Sequence, residues 1–222
     1  DVYGGTFKNL PNQYLADGYF LDGNGTVIAV GEGVTPVTDE ESLKAALESG
    51  EKDIRILNDI PLTSMINLPS GVTLDGGNHV ITANVSGKHA FEISGQSNVT
   101  VKNLKINGNQ SAKHGFNVYK SNNIYFENIE VSKVTGLDLV VNASDVTATG
   151  TLTLSENGWG NGINVSFGSG ISDKTGSSFN AKAATLVGVD YVYADKGDVE
   201  RAGGVDQFTI ALPENYQNQP TE

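Results

Sequence analysis

"HAFEISGQSNVTVKNLKINGN" (residues 89–109) aligns without a gap on "HGFNVYKSNNIYFENIEVSKV" (residues 114–134), at a constant offset of 25 residues. Phe91 and Ile93 match Phe116 and Val118, Val99 and Val101 match Ile124 and Phe126, and Leu104 and Ile106 match Ile129 and Val131. In each copy the apolar residues alternate with polar ones in three short runs, which is the pattern of three β-strands each burying one face. A helical repeat would place apolar residues at i, i+3, i+4 and i+7, and neither copy does so. Three strands per unit with no connecting helix describe a coil that returns above itself. Stacked coils set equivalent strands about 4.8 Å apart and enclose the inward residues in one continuous core. The fold class is therefore all-β, a parallel β-helix.

The pattern extends both ways. Val72 and Leu74 lead into Val80 and Ile81 upstream. Downstream, Leu137 and Leu139 precede Asp145, then Val146, Ala148, Leu152 and Leu154, and "GINVSF" (162–167) opens another unit. Regular coils are expected over about 54–167 and irregular ones over 168–212, with a frayed tail over 213–222. Asn98 and Asn123, with Asp145 in the same place, sit just before a strand where a left-handed backbone can turn the chain, and Asn tolerates that conformation well. Such side chains should stack from coil to coil. "GVTLDGGNHVIT" (71–82) reads as a further corner, with Asp75-Gly76-Gly77 closing one strand and His79 entering the next, rather than as an acid and base pair.

An open end of the stack would expose unpaired strand edges, so it needs a cover. "TDEESLKAALESG" (38–50) predicts a short capping α-helix. Thr38 and Glu41 have capping-box spacing, Asp39 and Glu40 suit the positive helix N-terminus, Gly50 can stop it, and Leu43, Ala46 and Leu47 form one apolar stripe. The β-helix would then span 36–212, preceded by a small β-hairpin and linker segment over 1–35 that turns through Asp22-Gly23-Asn24-Gly25. Asp22, Asn24 and Thr26 are spaced like the start of a calcium loop, yet the Gly of its sixth position and the Glu of its twelfth are missing. No cofactor is expected, calcium being the one candidate.

Charge narrows the partners. Fourteen Lys and Arg stand against 26 Asp and Glu, a net charge of -12, which repels nucleic acid and anionic membranes at long range. No apolar run approaches the roughly 20 residues needed to span a bilayer. "DVYGGTFKNL" lacks the basic and apolar regions of a signal peptide, so any secretion signal is expected to have been removed already. The absence of cysteine excludes disulfides, thiolate zinc sites and thiol nucleophiles.

The helix "ESLKAAL", followed by "IRILNDIPLTSMINLPSGVTLDGGNHVIT" and "NVTVKNLKI", resembles the opening of pectate-lyase-like right-handed β-helix proteins over roughly residues 38–167. "GGTFKNLPNQYLADGY" is similar to a segment of large modular surface proteins of Gram-positive gut bacteria. The resemblance implies a right-handed coil and an extracellular, cell-surface setting, with β-helices in series that could associate end to end. It specifies activity poorly, because one fold hosts many functions.

Relatives of this kind are often polysaccharide lyases or glycoside hydrolases acting on acidic glycans, which calls for a base, commonly Arg or Lys, and clustered acids. The chain has only two Arg, Arg55 beside the first coil and Arg201 past the regular ones. The outward row of the first strand reads Glu92, Asn117, Asp138, Asn164. Glu92 and Asp138, two coils apart, would stand about 9 to 10 Å from each other, too far to share one calcium but within an inverting hydrolase's range. Asn between the acids also simply keeps like charges from stacking. Of the polygalacturonase-type motifs only His114-Gly115 is present. Lys88-His89 and Lys113-His114 repeat at one coil position and predict a small basic step. An enzyme would use Glu92, Asp138, Lys113 and His114. A non-catalytic module, such as a rigid spacer or adhesin contacting a glycan or host ligand, would use Trp159, the sole Trp, with Tyr119, Asn117 and Asn164. A self-assembling surface protein is the third reading.

Overall fold

The computed structural model describes residues 1–16, 18–167, 176–203 and 207–217. Its body is a parallel β-solenoid of about five turns. Each regular coil runs through three strand rows. The first row stacks Ile66–Asn67, His89–Ser94, His114–Tyr119, Leu139–Asn142, Gly162–Ser166 and Tyr191–Tyr193 into one parallel sheet. The second and third rows are the two halves of the 11-residue strands Ser97–Asn107, Asn122–Ser132, Asp145–Ser155 and Ser177–Val187. In the earlier coils those halves are separate strands, Thr73–Asp75 and Val80–Ala83, and they pair with the two ends of Ser97–Asn107.

The 25-residue offset holds residue for residue. Phe91 pairs with Phe116, Val99 with Ile124 and Leu104 with Ile129. Their side chains join one core that runs from Val37 to Val192. Inside it Phe116 stacks on Phe91 at 5.4 Å and meets Phe126 at 4.6 Å between ring centroids.

Two asparagine ladders turn the corners. Asn98 and Asn123 have φ of 57° and 54°, and Asn123 Nδ2 donates to Asn98 Oδ1 at 3.2 Å. Asp145, expected to share that conformation, does not, and its carboxylate accepts from Ser178 Oγ instead. The sequence reading missed the second ladder. Asn103 and Asn128, with φ of 51° and 52°, bend the long strands between the second and third rows. Asn128 Nδ2 donates to Asn103 Oδ1 at 3.0 Å, and Asn103 Nδ2 to Asp75 Oδ1 at 3.1 Å. One coil further the corner falls on Gly150, where a Cβ would lie 2.2 Å from Asn128 Oδ1.

The N-terminal end is covered by helix α1, Glu40–Ser49, lying on strands Thr35–Val37 and Ile60–Leu62. Its N-cap is Asp39, which forms a capping box with Ser42, so the Thr38 and Glu41 assignment was one residue early. Asp39 wins because the preceding strand ends at Val37 and the carboxylate reaches the Ser42 N–H at 2.7 Å. Gly50 ends the helix in the left-handed conformation, as expected. Glu40 fastens α1 to the first coil by accepting from Thr63 and Ser64, and Lys44 of the same helix pairs with it.

Ahead of the solenoid, Tyr19–Leu21 and Val27–Ala29 form the expected antiparallel hairpin. Asp22 Oδ1 accepts from the N–H groups of Asn24 and Thr26, so this carboxylate organises the turn. Beyond the regular coils, strands Ser177–Val187 and Phe208–Ala211 continue the stack. Between them lies a second helix, α2, Lys196–Ala202, which the fading pattern did not signal. Leu212 and Tyr216 pack against the core, whereas residues 168–175 of the irregular region and 218–222 of the tail fall outside the described residues.

Candidate functional site

The first row does not carry the acids as its alternation suggested. Asn117 pairs with Glu92 on one side and with Val140 on the other, and Val140 pairs with Asn164. The outward row is therefore Glu92, Asn117, Val140, Asn164, Tyr193. Asp138 lies two residues earlier, out of register with Glu92, and is fully buried, so the Glu92 and Asp138 pair proposed for a hydrolase is not a pair of open acids on one row. The error has a simple origin: a slip of two residues preserves a period-2 pattern, so Leu137 and Leu139 fit as well as Leu139 and Val141.

Asp138 instead anchors a loop. Its Oδ1 accepts from Asn157 Nδ2, and its Oδ2 accepts from the Gly162 N–H at 2.9 Å. Those donors stand at the two feet of "NGWGNG" (157–162), which carries Trp159. Burial pushes the Asp138 carboxyl up to about 8 against the pull of its N–H donors, with Asp190 adding to the rise. The loop is fixed at further points. Asn157 Oδ1 accepts from the Val134 N–H, Asn161 Oδ1 accepts from Asn157, and Asp190 accepts from the Asn161 N–H. The Tyr191 hydroxyl donates to the Trp159 carbonyl. A Cβ at Gly162 would come within 2.2 Å of the Tyr191 ring, so glycine is required for this closure. On this scaffold the indole of Trp159 stands 63% exposed.

Asn157, Asn161, Asp190 and Tyr191 were not among the residues expected to matter. Asn157 and Asn161 sat in a loop whose Asn-Gly pairs read as turn chemistry. Asp190 and Tyr191 come after the repeat has lost its 25-residue spacing.

The basic step is present and is narrower than expected. His89 and His114 stack at 5.0 Å with nearly parallel rings. Burial lowers His89 to about 4, helped by the charges of His114, Lys113 and Lys88, and burial lowers buried His114 as well. Both imidazoles are therefore neutral near pH 7, and only exposed Lys88 and Lys113 carry charge. The unfolded chain protonates His89 near its ordinary value while the folded chain resists, so stability is complete above pH 6.5 and is lost as pH falls toward 4. His89→Gln should flatten that part of a melting-temperature profile; a profile unchanged between pH 6.5 and 4 would refute the assignment.

The remaining candidates are occupied. Asn117 Nδ2 donates to both oxygens of Glu92, at 3.0 and 2.9 Å, and burial raises the Glu92 carboxyl. Asn164 hydrogen-bonds Tyr193. Tyr119 packs on Ala143, Phe167 and Phe208, with the Lys120 ammonium 5.8 Å from its ring. Arg55 pairs with Asp75 at 3.0 Å, and Arg201 lies over Phe167. Asp75 bonds Arg55 and Asn103 while His79 turns to Asp59, which agrees with a corner and not with an acid and base pair. Among the described residues no group of three His, Cys, Asp or Glu is placed to hold a metal ion.

No protein-family model, curated protein or solved structure matches the chain.

Proposed function

We propose that this protein is a non-catalytic, extracellular module of a bacterial cell surface. In this reading it is a right-handed, pectate-lyase-like β-helix whose rigid body presents a carbohydrate or host-ligand contact at Trp159. The observation that carries the proposal is the exposed indole on a loop fixed at both feet to a buried carboxyl. An exposed indole face offers a large, rigid apolar surface on which a sugar ring can stack. Holding it on a pre-ordered loop removes the entropy cost of ordering it on binding. The resemblance of "GGTFKNLPNQYLADGY" supports the cell-surface setting, and the burial of Asp138 out of register with Glu92 supports binding over hydrolysis.

On a glycan array, wild-type protein should bind a defined set of saccharides. Trp159→Ala should lose that binding about tenfold or more, as expected when an aromatic anchor contributing about 2 kcal/mol is removed, with an unchanged melting temperature. Cleavage of pectin, alginate or a host glycan by the purified wild type would overturn the reading, as would an array signal indifferent to Trp159→Ala.

A further inference from the structure

The two ends of the solenoid are finished differently. At the N-terminal end the outermost strands are Thr35–Val37 in the second row and Ile60–Leu62 in the third. Each has proline at its centre, Pro36 and Pro61, and proline lacks the N–H that an added strand would bond. Helix α1 lies on both, and Glu40 takes the next two donors, the N–H groups of Thr63 and Ser64. The first row begins with only Ile66–Asn67, beside Leu47 of the helix. Short edges, proline and a covering helix are the devices that block pairing.

The strand edges at the far end carry none of these devices. The last strand, Phe208–Ala211, bonds Ser177–Asn180 on one side and, among the described residues, no strand on the other. It projects one strand beyond the other rows, whose last described strands are Tyr191–Tyr193 and the Ala183–Val187 half of the preceding long strand. Phe208 to Leu212 carry no charge, in a chain that is 18% charged. Charge leaves the third row as well: Lys105, Glu130, Thr153 and Val187 succeed one another at one position, and Val187 ends it 45% exposed. The core is also incomplete here. Leu186 follows Leu104, Ile129 and Leu152, and Ile210 follows Ile124, Val146 and Phe179. All six earlier residues are buried, whereas Leu186 and Ile210 are only partly so.

We infer that this far end is where two copies of the chain meet, about a two-fold axis that sets Phe208–Ala211 antiparallel to the same strand of the second copy. A head-to-tail series would need a free edge at each end, and the N-terminal end offers none. The projecting edge is left with itself as partner, and an edge pairs with itself only antiparallel, through a two-fold axis. Residues directly opposite each other point to the same face of a sheet, so the register that keeps the core continuous centres on Ile210. Ile210 then meets Ile210 of the second copy, Thr209 meets its Ala211, and no like charges oppose one another. Half-buried Leu186 and Leu212 gain cover from the second copy. The assembly closes at two copies and does not depend on what Trp159 contacts.

Sedimentation equilibrium of the 222-residue chain tests this. As concentration rises from about 1 µM to 1 mM, the mass should climb from the 23.4 kDa of one chain to twice that and stop. Ile210→Lys, which opposes like charges across the axis, should weaken the pair about tenfold or more. The chain has no cysteine, so a single introduced thiol reports the contact even if the lysine variant folds poorly. Residues opposed at the axis are close enough for a disulfide. Mild oxidation of Ile210→Cys should therefore join two copies, whereas Ala45→Cys, on the exposed face of α1, should stay single. Wild type that keeps the mass of one chain at every concentration overturns the proposal. So does a series that grows past two copies, a dimer that a folded Ile210→Lys leaves intact, or a dimer in which Ile210→Cys cross-links no better than Ala45→Cys.

Discussion

Phe116→Ala should lower the unfolding free energy by about 3–5 kcal/mol, the usual cost of deleting a buried aromatic ring. For a domain of this size that is a fall of about 10 °C in melting temperature. Phe116 is 1% exposed and touches both the ring of the coil before, Phe91, and the ring of its own second strand, Phe126. The cavity would open in the middle of the stack, where neighbouring coils cannot close over it without breaking ladder bonds on both sides. Phe116→Leu should recover much of the loss by restoring volume. A loss below about 1 kcal/mol in chemical denaturation would mean that the two coils are less tightly coupled than their pairing indicates.

Asp138→Ala should cost about 2–3 kcal/mol, because it strands the buried Gly162 N–H and takes one of two acceptors from the half-buried Asn157 Nδ2, at about 1–3 kcal/mol for a stranded buried donor. The distinguishing readout is optical. Trp159 is the only tryptophan, so freeing its loop should change its fluorescence anisotropy in the native state, before any unfolding. Asp138→Asn keeps one acceptor and should cost less. The two substitutions also differ from wild type in pH response. A carboxyl raised to about 8 in the folded chain holds its proton more tightly than in the unfolded chain. Its contribution is therefore full below about pH 4 and is lost as pH rises through 8. Asp138→Asn removes that decline between about pH 4 and 8. If anisotropy in Asp138→Ala matched wild type, Asp138 would be a packing residue with no role in holding Trp159.

The repeat was legible because a 25-residue copy preserves both period and spacing: Phe91 over Phe116 and Ile106 over Val131 needed only the sequence. The position of Asp138 was not legible, since alternation alone cannot distinguish a register from its neighbour two residues away. What decides it is the hydrogen bonding of its carboxylate to Asn157 and Gly162, residues about one coil further along the chain. The Asn103 and Asn128 ladder could have been found, because the two are also 25 residues apart, but within continuous strand patterns they read as ordinary outward polar positions. The hairpin turn shows a carboxylate serving the backbone. Asp22 has a metal ligand's chemistry, and the backbone of Asn24 and Thr26 uses it up. Trp159 was noticed as a lone aromatic in a glycine-rich loop; the scaffold that holds it out lay where the repeat had faded.

The ladder hydrogen bonds have a mechanical consequence. Every pairing between coils runs along the long axis of the solenoid, and each coil contacts chiefly its two neighbours. Tension applied along that axis therefore falls on one inter-coil seam after another, in series, and chain is released a coil at a time. A load across the axis is instead shared by the stacked coils acting together, so resistance to force depends on direction. In a protein held at one end and bound at its side near Trp159, the direction of pull would decide which of these limits applies.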